Sequence, residues 1–336
     1  MPLTRRHLLS AGGAVGGALL LPGPPAAARG GDPDDWLGRL RAHRRHVAAV
    51  VDDGRGGRLA HRPHARQPLG SAVQVLHLAA YALAVERGVV APDDRVTAGE
   101  WEAHHLGAGL DGGAHQRALR TLGLASTNGV TADDPHAVLT LDDLVGVLLR
   151  HGDHAAADHL GRRLAGLVRP AAVRAGWPDA PVPSYLGEGL RLVLGRRVEV
   201  ERYLDDPRLQ LEVVGHLPDV PKTYDGRRAW ARDTWRGTAA GLHRLHRALD
   251  RFPGAVARLE RGREVPDAVG FQGGSLPGVV TAGLRVRWPD GRVGTATVLV
   301  EEADEPWSRT AGGLVELVRR ALLDPAALGE LQAALA

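Results

Sequence analysis

Any chemistry in this chain falls to serine, histidine, carboxylates and amides. Cysteine is absent, which excludes disulfides, Cys-ligated zinc and thiol catalysis, and the single lysine is Lys222, in the loop Val220-Pro221-Lys222-Thr223-Tyr224. Sixteen histidines invite a metal site. His104-His105 and His115 lie close in sequence, and His243 and His246 stand i, i+3 on one helix, a spacing that can bring two ligands together. Neither group has an H-E-x-x-H or a nearby carboxylate pattern, so both are read as satisfied surface or interface histidines, and neither metal nor cofactor is expected. Trp230, Trp235 and Trp288 are read as packing residues.

Three separated segments frame one serine. The first is Pro68-Leu69-Gly70-Ser71-Ala72-Val73-Gln74-Val75-Leu76, opening an alanine-rich helix that leads to Val89-Val90-Ala91-Pro92-Asp93-Asp94-Arg95-Val96. The second is His151-Gly152-Asp153-His154-Ala155-Ala156-Ala157-Asp158, after an amphipathic helix at 141–149. The third is Gly270-Phe271-Gln272-Gly273-Gly274-Ser275-Leu276-Pro277-Gly278-Val279-Val280-Thr281. In order, spacing and flanks these resemble the class A β-lactamases and D-alanyl-D-alanine peptidases, whose signature is S-x-x-K, S-D-N and K-T-G. Trp101 and Asp111-Gly112-Gly113-Ala114-His115 also resemble a subgroup of these hydrolases.

The resemblance puts Ser71 at the nucleophile position and Gln74 where the first lysine belongs. Gly152 and His154 replace the serine and asparagine of the second motif around a retained Asp153, and Gln272, before Gly273 and Gly274, replaces the second lysine. Asp153 and Asp158 take structural positions. A serine hydroxyl is a weak nucleophile and needs a base in hydrogen-bond reach. A lysine three residues on faces the same side and can serve when burial and charge lower its pKa. Glutamine neither takes a proton nor offers a charge to a substrate carboxylate. One lysine cannot restore two, although Lys222-Thr223 mimics K-T. Gly152 has no hydroxyl to relay a proton to a leaving nitrogen, and Glu188 lies in the region of a deacylating base without its surrounding pattern. The implied function is a β-lactamase-like serine hydrolase homologue that is catalytically impaired and holds a peptidoglycan-like or β-lactam-like ligand. The alternative is an active hydrolase or esterase in which His154 deprotonates Ser71, oriented by Asp153 or Asp158.

These residues need elements to position them. Periodicity predicts a helix over 32–44, strands at 46–51 and 58–62 around the Asp53-Gly54 turn, and a buried helix over 72–87. The stretch 92–249 reads as helices and loops with few strand signals, helices falling at 141–149, 155–167 and 238–249. Strands return at 269–272, 279–288 and 293–300, the last two joined by Pro289-Asp290-Gly291. A helix at 309–322 and a short one from Pro325 end the chain. The fold class expected is α/β (α+β, three-layer αβα), with an antiparallel sheet of about five strands formed from both chain ends. Residues 29–66 plus 262–336 form the α/β lobe and 67–261 an inserted helical lobe, together one β-lactamase-like domain with a cleft between the lobes.

A chain of 336 residues with 44% apolar content can bury a full core. Its charge of +3 falls to +1 without the first 28 residues, which carry Arg5 and Arg6 and no acid. Acids are interleaved with the arginines throughout, so no nucleic-acid partner is expected. Thr4-Arg5-Arg6-His7-Leu8-Leu9, a glycine-rich apolar run and Ala26-Ala27-Ala28 resemble a twin-arginine signal peptide, residues 1–28. It is too short and glycine-rich for a span of roughly 20 apolar residues, so no stable membrane anchor is expected after cleavage. The expected location is secreted or cell-envelope.

Overall fold

A computed structural model describes residues 31–107, 111–261 and 269–336. The expected signal peptide lies outside the described residues. Helix α1 (Pro33–Ala42) starts at Asp32, whose side chain accepts from the Asp34 amide, and carries acids in its first turn and arginines in its last. β1 (Val47–Asp52) and β2 (Arg58–His61) form a hairpin whose turn is held by Asp53 Oδ1, accepting from the Arg55 and Gly57 amides. His46, expected in the strand, belongs to the 3-10 turn before it.

β3 (Arg66–Pro68) leads into a 3-10 helix, Gly70–Gln74, and then α2 (Val75–Glu86). The helical lobe continues with β4 (Arg95–Thr97), α3 (Ala98–Glu102), α4 (Ala114–Thr121), β5 (Val138–Thr140), α5 (Leu141–His151), α6 (His154–Arg163), α7 (Ala165–Arg174), α8 (Tyr185–Leu194), α9 (Val200–Asp205), α10 (Pro207–His216) and α11 (Tyr224–Arg232). After β6 (Arg236–Thr238), α12 (Ala239–Ala248) and α13 (Ala255–Arg261) come β7 (Val269–Leu276), β8 (Val279–Arg287) and β9 (Val293–Glu301). α14 (Glu305–Arg309), α15 (Ala311–Leu323) and α16 (Pro325–Leu335) close the chain.

The main sheet runs β2-β1-β9-β8-β7, antiparallel throughout, and the β1–β9 pairing, from Val47↔Val300 to Asp52↔Thr295, joins the two chain ends. This is the expected five-stranded α+β architecture. Side chains alternate across each strand, so Val280, Ala282, Leu284, Ala296, Val298 and Val300 share one face with Trp36, Leu314 and Leu331 of the terminal helices. The opposite face carries Gln272, Gly274, Thr281 and Gly283 and meets α12 and the helical lobe. Both faces are covered, so every residue of β7 is buried. Inside the helical lobe, α2 is buried from Val75 to Ala84. Leu106, α8, α9 and α10 share a third, smaller core around Leu186, Leu190, Tyr203 and Leu209.

Several expectations need correction. Two short ribbons, β3–β6 and β4–β5, occupy positions not read as strands. The helix expected at 155–167 breaks at Leu164 into α6 and α7, and the one expected at 309–322 is α15, preceded by a separate short helix, α14, that was not expected. His243 and His246 are not surface residues: they lie between α12 and the sheet, 8% and 0% exposed. The His246 ring occupies the space a Cβ at Gly283 would need, Nε2 lying 2.3 Å from that position.

Burial pushes His77 and His243 down to about 4 and His246 to about 3. Their folded values lie below the unfolded one, so the stability they contribute is fully present above about pH 6.5 and lost as pH falls through their folded values. The urea midpoint should therefore drop between pH 7 and pH 5, with net proton uptake on unfolding. A flat profile there would contradict the burial of these rings.

Candidate active site

The three motif segments meet. Ser71 Oγ lies 3.4 Å from His154 Nε2. Gln272 donates through Nε2 to Gln74 Oε1 at 2.9 Å and lies 3.3 Å from the Ser71 carbonyl oxygen. Gln74 Nε2 in turn donates to the Gly152 carbonyl at 3.3 Å. A chain of two amides thus ties β7, the serine turn and the α5–α6 junction together. Ser71 is 3% exposed, and neither glutamine is exposed at all.

Local backbone explains how each group arrives. Gly70 adopts φ +52, a left-handed conformation that turns the chain from β3 into the 3-10 helix. With about three residues per turn, that helix sets Ser71 and Gln74 directly above one another. Gly274 presses against this turn so closely that a Cβ on it would stand 2.3 Å from the Ser71 amide nitrogen. Trp235, delivered by β6, donates its indole N–H to the Gly70 carbonyl at 2.9 Å. Gly152, with φ 69, ends α5 in the left-handed conformation, and Asp153 caps α6, its Oδ1 accepting from the Ala156 amide at 2.5 Å.

The carboxylates expected to orient His154 are engaged elsewhere. Asp153 accepts from Trp101 Nε1 and from His115 Nδ1, both at 2.9 Å, with Glu102 3.8 Å from the other nitrogen of His115. Burial alone would neutralise this pair, but each partner offsets it: His115 is held up at about 9, chiefly by Asp153, and Asp153 down at about 2, chiefly by His115. Asp158 accepts from the backbone amides of Tyr185 and Leu186, fixing the start of α8 on α6, and burial pushes its carboxyl up to about 7. His154 itself is pushed below the ordinary histidine range by burial, against the pull of Asp111 and Asp153, so it is neutral at neutral pH.

Two contacts had no counterpart in the sequence reading. The Tyr185 ring stacks on His154 with centroids 4.3 Å apart, and Trp235 meets Tyr185 edge-on at 4.7 Å. The Tyr185 hydroxyl faces Ser71 and Gln74 without a well-aligned hydrogen bond. Trp235 therefore does more than pack. Tyr185 had one weak signal, an aromatic ring directly after Ser184, whose hydroxyl caps α8 by accepting from the Gly187 amide. Glu188 pairs with Arg191 at 2.7 Å, and Lys222 is solvent-exposed, so neither is drawn to Ser71. His105 stacks on His115 at 4.0 Å, and among the described residues no three histidines or acids converge as metal ligands. In place of a wide cleft, the space beside His154 is a cavity of about 40 Å3 bordered by Asp111, Tyr185, Trp235 and apolar side chains, Leu106, Leu186 and Leu276 among them.

Removing Asp153 should strand a buried imidazolium and uncap α6. Asp153→Ala is expected to cost about 3–5 kcal/mol in denaturant unfolding. The pair's contribution has two limits: from His115 it is present below about pH 6.5 and lost as pH rises through about 9, and from Asp153 it is present above about pH 4 and lost as pH falls through about 2. The difference between wild type and variant should be widest between those limits, and a pH-independent difference would contradict the ion pair.

No protein-family model and no curated protein sequence matches the chain. Among solved structures it is similar to a β-lactamase from Sphaerobacter thermophilus, with a TM-score of 0.50 and 19% identity over 89% of this chain and 94% of that one. A β-lactamase from Chitinophaga pinensis gives a TM-score of 0.52 and 13% identity over 88% and 99% of the two chains. A class A β-lactamase described as the last common ancestor of Gram-negative bacteria gives 0.52 and 18% over 88% and 98%. The likeness is one of architecture: this chain has a β-lactamase-like fold.

Proposed function

We propose that this protein is an exported serine hydrolase of the β-lactamase fold that uses His154, in place of a lysine, as general base and acts on uncharged esters. The observation that carries this reading is the 3.4 Å contact between Ser71 Oγ and the Nε2 of a half-buried histidine whose pKa is lowered. Apo-state contacts of this length tighten when substrate binds. In the acylation step the Ser71 proton passes to His154 Nε2 as Oγ bonds to the acyl carbon. The imidazolium then returns that proton to the departing alkoxide. Water, deprotonated by the same nitrogen, releases the acid and restores Ser71.

Substrate class follows from the amides. Gln74 and Gln272 supply no positive charge beside Ser71, and the neighbouring cavity is walled largely by Leu106, Leu186, Leu192, Trp230, Trp235 and Leu276. A carboxylate-bearing substrate would lose its hydration there without gaining a counter-ion. A small neutral acyl ester loses much less.

A second reading is favoured by the enclosure of the serine. With Ser71 3% exposed and both glutamines fully buried, the site also suits a non-catalytic protein that holds a peptidoglycan-like or β-lactam-like ligand outside a sealed crevice.

Hydrolysis of p-nitrophenyl acetate and butyrate separates the two. Turnover should rise with pH along a limb whose midpoint lies below 6.5, because burial lowers the His154 pKa. Ser71→Ala and His154→Ala should each reduce kcat by roughly 10²–10⁴-fold. Turnover indifferent to both substitutions, or stoichiometric labelling of Ser71 by a fluorescent penicillin, would overturn the ester reading. Absence of turnover together with saturable binding of a peptidoglycan fragment would favour the second.

A further inference from the structure

For His154 Nε2 to accept from Ser71, the ring's own proton must sit on Nδ1, and on this half-buried ring that N–H is best served by a fixed acceptor. Asp153 is taken up by His115, Trp101 and the α6 cap, and Asp158 by the start of α8. Asp111 remains. It lines the same cavity of about 40 Å3 as His154, with room for a bridging water. Asp111 is 6% exposed. Its Oδ1 accepts from the Gly113 amide at 2.9 Å and its Oδ2 from the His115 amide at 2.7 Å, which leaves each oxygen lone-pair capacity for a further donor.

The electrostatics agree with that placement. Burial would push the Asp111 carboxyl up, yet His105 and His154, with the His115 amide, hold it below its ordinary value. In return, Asp111 is the charge that most opposes the burial of His154, ahead of Asp153. Ser71 from the 3-10 turn and Tyr185 from α8 contact the His154 ring, and the charges acting on it are Asp111, from the loop before α4, and Asp153, from its own helix cap.

We propose that Asp111 is the positioning carboxylate of this site, accepting the Nδ1–H of His154 through a water in the cavity they share, so that Ser71, His154 and Asp111 act in series. Asp111 stays ionised throughout. It fixes the tautomer and steadies the imidazolium that forms when Ser71 gives up its proton. The inference rests on the hydrolase reading for its role in turnover, but the Asp111–His154 link is measurable without any substrate.

Nitrogen-15 NMR of the histidine rings in the whole protein tests it. In wild type the His154 ring should be protonated at Nδ1 and bare at Nε2. Asp111→Asn should lower the His154 pKa by about one unit and reduce kcat for the p-nitrophenyl esters by roughly tenfold or more, the acid limb of the rate profile moving with the NMR titration. A wild-type ring protonated at Nε2 overturns the proposal even if Asp111→Asn does not fold, as does a folded Asp111→Asn protein whose His154 titrates as before. If the ring responds to Asp111→Asn but wild type turns over no ester, the hydrolase reading fails and the link stands. Ester turnover with an unresponsive ring gives the reverse result.

Discussion

Two buried glutamines joined amide to amide are the constraint on which the site depends. Gln272 reaches from β7 to Gln74, and Gln74 reaches on to the Gly152 carbonyl, so one hydrogen-bonded line crosses three segments far apart in sequence. Ammonium groups in these places would each need a counter-charge or water, because an unpaired buried charge costs several kcal/mol. Amides need only each other and the main chain. Ser71 can therefore be largely enclosed without a buried charge beside it. The closure is imperfect, since Gln272 Oε1 is left without a partner, a desolvation cost of about 1–3 kcal/mol.

Full charge is kept one layer back. The His115–Asp153 pair lies behind His154, enclosed by Trp101, His105 and Glu102, and it anchors the helix that presents His154. Asp153 is at once a helix cap, an ion-pair partner and an acceptor for an indole N–H, so α6 cannot shift without breaking all three contacts. On the other side of His154 the stacked Tyr185 is fixed through its backbone by Asp158. The neutral imidazole is thus positioned by two carboxylates, Asp153 through its helix and Asp158 through Tyr185, that do not themselves hydrogen-bond to it.

Much of the fold was legible in the sequence because β8 and β9 alternate cleanly and the Pro289-Asp290-Gly291 turn joins them. β7 was cut short in the reading, its glycine run Gly273-Gly274 resembling a loop, since packing against the serine turn leaves no signature in propensity. The ribbons β3–β6 and β4–β5 are three-residue pairings too short to show a period. His243 and His246 were read as surface or interface histidines, although they share the stripe Ala239, Leu242, His243, His246, Leu249 along one face of α12 and its 3-10 extension. Of the site, Ser71, Gln74, His154 and Gln272 could be named from motif order. Tyr185 was missed and Asp111 was noted without a role, because a ring stacked across 31 positions and a carboxylate sharing a cavity are tertiary facts. The expectation that Asp153 would serve His154 failed because a retained motif residue was credited with its nearest neighbour in sequence.

The contact at Gly274 has a consequence for how such a protein can change. Strand and serine turn touch there through bare main chain, with Gly70 in its left-handed turn on the other side, so the hydroxyl is located by backbone against backbone. The side chains two residues upstream and one helical turn onward add to that position but do not create it. Frame and reagents are separable, and a lineage or an engineer can swap the chemistry at this serine while the two glycines stay fixed.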